Sequence, residues 1–206
     1  MTRERSSMSN KLEQEVKFYL NDLKSLEEKL KVMGASLKQP RTFEINLRFD
    51  TPNRQLTNSY QALRLRQDTR ARLTYKAPGD PEREVSAREE LEVEVSDLDT
   101  AQKILEYLGF EMMVRYEKFR TAYEINEVEI SLDEMPFGTF CEIEGPDTES
   151  IRQCASLLGL RWEARSKLSY LTIFHDYQRE FQLEIGHLTF DAFKGIKVTS
   201  RELGMT

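Results

Sequence analysis

No stretch of this 206-residue chain approaches the about 18 apolar residues that a membrane-spanning helix needs, and the opening MTRERSSMSNK is polar where a secretory leader would be apolar. A cytoplasmic protein with no membrane partner is expected. Cysteine is scarce: Cys141 and Cys154 stand far apart, without CxxC spacing or a second pair, so no thiolate metal cage can form and both read as packing thiols. His175 and His187 are the only histidines, and their positions near the C-terminus read as surface or packing roles. Trp162 and Tyr170 read as packing residues in the same way. An excess of positive charge is also missing. The net charge of −6 argues against duplex nucleic acid as a partner, although it leaves room for a local basic cavity. Gly79 sits in a Pro-Gly-Asp-Pro turn with no helical pattern after it, which excludes a phosphate-binding glycine loop there. What remains is one domain of ordinary size, 39% hydrophobic, with enough apolar residues to build a core.

The prominent positive feature is period-two alternation of charged and apolar residues, the mark of strands with two unlike faces. In Leu12–Leu20, Glu13, Glu15 and Lys17 alternate with Leu12, Val16, Phe18 and Leu20. Segment 43–49 opposes Glu44, Asn46 and Arg48 to Phe43, Ile45, Leu47 and Phe49. Arg64 and Arg66 alternate with Leu63 and Leu65, and Arg72, Thr74 and Lys76 with Leu73 and Tyr75. Glu90, Glu92 and Glu94 interleave with Leu91, Val93 and Val95; Lys118, Arg120 and Glu124 with Phe119, Thr121 and Tyr123. Segments 127–133 and 139–144 bring the strands to eight. Three helices are predicted where Asp22, Asp97 and Asp147 can cap an apolar pattern that stops near Gly34, Gly109 and Gly159. The first two follow strands directly, as a weak internal duplication would. A fourth helix is expected over 169–181, and 182–206 reads as a short tail.

One strand with a charged face usually turns it to water. Eight such strands with few helices predict something else. Basic residues concentrate in 64–76 and 118–120, and acidic ones in 90–94, 133 and 142–144. Closing the sheet with its charges inward gives an α+β fold: an eight-stranded antiparallel β-barrel or tunnel with helices packed outside. Buried charge on that scale is costly unless a polyanion and its cations fill the lumen.

Several blocks, in order, resemble the CYTH superfamily, the triphosphate tunnel metalloenzymes that include class IV adenylyl cyclases, thiamine triphosphatases and inorganic tripolyphosphatases. Glu13-x-Glu15-x-Lys17 resembles the ExExK signature. Phe49-Asp50-Thr51-Pro52, Ala62-Leu63-Arg64-Leu65-Arg66, Leu73-Thr74-Tyr75-Lys76-Ala77-Pro78, Arg88-Glu89-Glu90-Leu91-Glu92, Lys118-Phe119-Arg120, Leu132-Asp133 and the segment 138–144 resemble the blocks that follow it. Lys167-Leu168-Ser169-Tyr170-Leu171 resembles the closing Ser-Tyr helix. The resemblance implies a polar tail over 1–10, a CYTH-like tunnel over 11–177 and a C-terminal extension over 178–206. Spacing and loops are most similar to the class IV cyclase-like branch, although Ser9-Asn10-Lys11-Leu12 stands where that branch often carries His-Phe before ExExK.

The chemistry fits such a ligand. A triphosphate carries about four negative charges, which an Arg fork or a Lys point charge can meet. Arg64, Arg66, Lys76, Lys118 and Arg120 are the expected triphosphate binders. Mg2+ or Mn2+ prefers carboxylate and water oxygens. Glu13, Glu15, Glu142 and Glu144, with Asp133 and Glu92 near them, are the expected metal ligands. Glu13, Glu15 and Lys17 form the expected catalytic group, with Lys17 binding phosphate or positioning the attacking group. Arg70 and Arg72 read as a hairpin end. The function expected first is metal-dependent hydrolysis of inorganic tripolyphosphate, a nucleoside triphosphate or thiamine triphosphate. A class IV adenylyl cyclase and a non-enzymatic polyphosphate-binding module are the alternatives, and a homodimer is compatible with all three.

Overall fold

The computed structural model describes residues 11–203; the expected tail over 1–10 and residues 204–206 lie outside the described residues. The alternating segments form β1 (Lys11–Leu20), β2 (Ser36–Asp50), β3 (Ala62–Gln67), β4 (Ala71–Lys76), β5 (Ser86–Val95), β6 (Glu111–Ile125), β7 (Val128–Met135) and β8 (Gly138–Glu144). All neighbours are antiparallel, and the sheet closes in the order β1-β5-β4-β3-β2-β6-β7-β8. The helices are α1 (Leu23–Val32), α2 (Gln55–Asn58), α3 (Leu98–Tyr107), α4 (Thr148–Leu158) and α5 (Tyr170–Phe181). Asp22, Asp97 and Asp147 cap α1, α3 and α4 by accepting from the amides of Ser25, Thr100 and Ser150 at 3.0, 2.7 and 2.8 Å. Ser169 caps α5 through the Thr172 amide at 3.1 Å.

Two elements depart from the sequence reading. β2 begins at Ser36 instead of near residue 43, because Pro40 breaks the alternation while register shifts between Leu37 and Thr42 absorb it as an irregularity in the β2–β6 ribbon. The expected turn after Asp50 contains the single-turn α2, held by the Asp50 carboxylate, which accepts from the amides of Leu56 and Thr57 at 2.9 Å each.

Since the inward face of the barrel is charged, the apolar cores lie outside it. Val16, Phe18, Ile130, Leu132 and Ile143 pack beneath Leu26 and Leu30 of α1 and Ile151 and Leu158 of α4. Leu47, Phe49 and Leu65 pack with Leu105 of α3. Phe137 and Phe140 pack with Tyr170, Ile173, Phe174 and Tyr177 of α5. Each such side chain, fully buried, contributes roughly 1.5–3 kcal/mol before chain entropy is set against it.

Pairing between β1 and β5 stops at Glu15, and pairing between β6 and β7 begins only at Phe119. β1 and β6 therefore run past the ends of β5 and β7, and the chain beyond residue 160 covers both overhangs. Ser166 exchanges backbone hydrogen bonds with Lys17 at 2.9 and 2.8 Å, and Leu188 bonds the backbone of Arg115 and Glu117 at 2.9 Å each. With α5 running between these two attachments, Leu188 and Phe193 are buried in the same cluster as Tyr116 and Phe174. The segment read as a loose tail thus packs against the wall of the barrel. No helix among the described residues is long and apolar enough to cross a membrane.

Candidate functional site

Strand parity turns a charged side chain inward from every strand, around a cavity of about 480 Å³. Ten Lys and Arg residues and eight Glu residues line it, and most of these charges form ion pairs with one another. Of the expected site residues, Glu13, Glu15, Lys17, Arg64, Arg66, Lys76, Glu92, Lys118, Arg120, Glu142 and Glu144 all line this one cavity.

Four carboxylates share two neighbouring strands: Glu15 lies across from Glu144, and Lys17 across from Glu142. Lys17, 3% exposed, bridges Glu15 and Glu142, the latter at 3.1 Å. Burial opposes its positive charge, but Glu142 and Glu15 outweigh burial and raise its pKa above the ordinary lysine value. Burial would likewise raise the Glu142 carboxyl, yet Arg120, Lys17 and Lys118 hold it well below the usual range. Glu13 behaves differently. Burial raises it against the pull of Lys76, and a hydrogen bond with Glu90 adds to the rise. Lys76 pairs with both Glu13 and Glu90, the latter at 2.8 Å.

The two remaining metal candidates lie apart from these four. Asp133 is absent from the lining and fully buried at the end beneath α5. Its oxygens accept from Arg120 Nε and Nη2 at 2.7 and 2.6 Å, from Lys118 Nζ at 3.1 Å and from Tyr170 Oη at 2.8 Å. Four donors, three of them basic nitrogens, already converge on this carboxylate, which suits a group that orients basic side chains. Glu92 stands on β5 among arginines, 3.2 Å from Arg66 and 3.8 Å from Arg64, with the Thr74 hydroxyl donating to it at 2.8 Å. Among the described residues, no three His, Cys, Asp or Glu side chains gather closely enough to hold a metal ion by themselves.

The CYTH domain model matches residues 11–153. The chain belongs to the CYTH domain family. A Methanocaldococcus jannaschii protein named as a putative adenylate cyclase is 30% identical over 135 residues, 65% of this chain and 76% of that protein. The structure of a putative adenylate cyclase from Vibrio parahaemolyticus aligns with a TM-score of 0.72 at 23% identity, covering 81% of this chain and 99% of the other. A putative adenylyl cyclase from Hippeastrum, described as revealing a dominant triphosphatase activity, aligns at 0.60 and 23% identity, covering 79% and 95%.

In this CYTH tunnel several lining residues were given no role by sequence reasoning. Glu44, 1% exposed, carries a carboxylate without a hydrogen-bond donor; burial would raise its pKa, but Lys118, Arg120, Arg66 and Arg64 hold it down to about 2. Arg48, Arg88, Glu90 and Tyr116 line the cavity too. Arg88 and Glu90 share the parity of Glu92, and Glu44 and Arg48 form the charged face of β2, and those signals could have found them. Tyr170, read as packing, also reaches the site: its ring centre lies 5.3 Å from the Lys17 ammonium and 5.5 Å from that of Lys118. Tyr170→Phe keeps the ring and removes only the donor to Asp133, so urea denaturation should show a loss of about 2 kcal/mol, the worth of a hydrogen bond to a charged group. An unchanged midpoint would mean that Arg120 and Lys118 suffice to hold Asp133.

Proposed function

We propose that the tunnel binds a linear triphosphate together with Mg2+ or Mn2+ and cleaves a phosphoanhydride bond by attack of water. The observation that carries this reading is one cavity inside the barrel in which basic side chains from β3, β4 and β6 face four carboxylates on β1 and β8. The basic set suits phosphate oxygens, with Arg64, Arg66 and Arg120 as forks and Lys76 and Lys118 as point charges. Glu13, Glu15, Glu142 and Glu144 are hard oxygen donors of the kind these cations prefer, and a set that makes no cage alone fits ions that complete their shell with phosphate and water. Such an ion, when bound, would neutralise phosphate charge and lower the pKa of a water. Lys17 keeps its charge and fixes Glu15 and Glu142 in orientation. Glu92 and Asp133 are assigned to holding arginines and lysines in place. As the water oxygen bonds to phosphorus, the P–O–P link breaks with its electron pair on the departing phosphate oxygen, which the basic side chains hold, and the water's proton passes to the departing phosphate or to solvent.

The second reading, cyclisation of ATP, is supported by the names of the relatives. It requires a purine site. The aromatic residues in the lining are Tyr116 and Tyr170, both buried in the cluster beside α5. Hydrolysis needs no such site. A purely anion-binding module would be better served without the carboxylates.

The deciding assay incubates the protein with tripolyphosphate, thiamine triphosphate or ATP in Mg2+ or Mn2+ and separates the products. Orthophosphate release that stops in excess chelator is expected. Cyclic AMP with pyrophosphate from ATP would establish cyclisation, and no turnover of any of the three would leave the binding module.

A further inference from the structure

Cross-strand pairs on the inward face show where the tunnel carries charge that its own residues leave unneutralised. On β3 and β4, Arg66 stands directly opposite Arg72, and carboxylates relieve the repulsion: Glu92 reaches both, at 3.2 and 3.9 Å, and Asp68 pairs with Arg72. On β2 and β3, Arg48 stands directly opposite Arg64, and the relief there falls on Arg64 alone. Among the described residues no carboxylate forms an ion pair with Arg48, and the carboxylates nearest Arg64 are 3.8 and 3.9 Å away, beyond hydrogen-bond length. The Nε atoms of both arginines, like those of Arg66 and Arg72, are buried with no acceptor. Arg88, also in the lining, spends its hydrogen bonds on the carbonyl oxygens of Ala77, Tyr60 and Lys76. Like charges opposite one another in a sheet destabilise it, and buried guanidinium nitrogens without acceptors add to the cost.

We propose that Arg48 and Arg64, supported by Arg88, form an oxyanion subsite that takes one phosphoryl group, with Arg48 a binding residue of the tunnel. A tetrahedral phosphoryl group offers several acceptor oxygens to two facing forks, and its charge removes the repulsion between them. The Tyr116 phenol lies beside the pair. Burial would raise its pKa, but Arg64, Lys118 and Arg48 together bring it below the ordinary tyrosine value, the signature of a positive field at this spot. Burial depresses the Arg48 guanidinium, Arg64 and Arg88 add to the effect, and Tyr116 and Asp50 oppose it, so its charge is held at a cost that a bound anion would offset. The assignment rests on the triphosphate reading and names where one end of that chain is held.

The test combines two measurements whose signs differ from those of a merely structural arginine. Arg48→Gln should raise the melting temperature of the ligand-free protein by about 1–3 °C, as expected for relieving a like-charge pair in a domain of this size. The same variant should weaken tripolyphosphate binding, read by calorimetry without metal, by about 10–100-fold. Arg48→Lys, which keeps the charge and loses the fork, should fall between, and Arg83→Gln, on the exposed loop before β5, should change neither quantity. A lower melting temperature or failure to fold in Arg48→Gln makes Arg48 structural and overturns the subsite, as does unchanged affinity. If the unaltered protein does not bind tripolyphosphate, the triphosphate reading falls. Orthophosphate then judges the subsite: binding lost in Arg48→Gln retains it, and no binding, or binding equal in both proteins, overturns it.

Discussion

Arg120→Ala should destabilise the protein by about 3–5 kcal/mol, whereas Arg66→Ala, one arginine for another in the same tunnel, should cost less than about 1 kcal/mol. Arg120 grips both oxygens of the fully buried Asp133 and also bonds Glu142 at 2.8 Å. Removing it takes a close charged partner from two desolvated carboxylates, leaving Asp133 to Lys118 and Tyr170 and Glu142 to Lys17, which is the expensive way to break a buried network. Arg66 has one close partner, Glu92, itself partly exposed, and it is repelled by Arg64 and Arg72. Urea denaturation of the two variants measures the difference directly. Both should bind triphosphate more weakly. The sequence alone suggests that neither change would unfold the protein, since charge removal relieves a crowded lumen, and that argument holds for Arg66 but not for the residue that pins Asp133. Equal losses would mean that Asp133 is secured by Lys118 and Tyr170 without Arg120.

Glu13→Gln should lower turnover by about 100-fold or more while leaving the stability of the ligand-free protein at pH 7 unchanged or slightly improved. The two effects part company because of the local field. Burial outweighs Lys76 and raises the Glu13 carboxyl above its ordinary value, and Glu90 shares a hydrogen bond with it. A carboxyl raised on folding stabilises the folded state below the unfolded pKa, and that contribution is lost as pH rises through the folded value. Glutamine stays neutral and escapes the loss, and Lys76 retains Glu90. The same substitution removes a hard anionic donor from the expected metal ligands. Melting curves at pH 7 beside phosphate release across a Mg2+ titration check both halves. Full activity in the variant would take Glu13 out of the metal set, and a large fall in melting temperature would mean that Glu13 is held as a charged partner of Lys76.

The face of nearly every strand was legible because period two is a local property of the chain. Glu13, Glu15 and Lys17 point inward for the same reason that Val16 and Phe18 reach the outer core. Height along the tunnel was not legible. Strand tilt sets it, and tilt arises from closure of the whole barrel. Asp133 and Glu129 have the same parity two rungs apart, yet Glu129 lines the cavity while Asp133 lies covered beneath α5. Glu92 has the parity of a metal ligand and the neighbours of an arginine clamp. Arg48 was visible as part of a charged face, but its lack of an ion partner depends on which residue β3 sets opposite. The role of residues 182–203 was hidden too, because only the finished sheet reveals that β6 has an overhang for Leu188 to cover.

Having its apolar clusters outside and its charges inside, the barrel writes two interleaved messages into each strand, one in the odd letters and one in the even. Ligand chemistry and packing are thereby edited separately: exchanging Arg66 for Lys rewrites one message, and exchanging Leu65 for Ile rewrites the other. The two share a reading frame, however. A single residue inserted within a strand shifts every later side chain to the opposite face, sending leucines into the lumen and arginines into the core. New letters can therefore be added cheaply only at the punctuation, in the connections between strands, where no frame is kept.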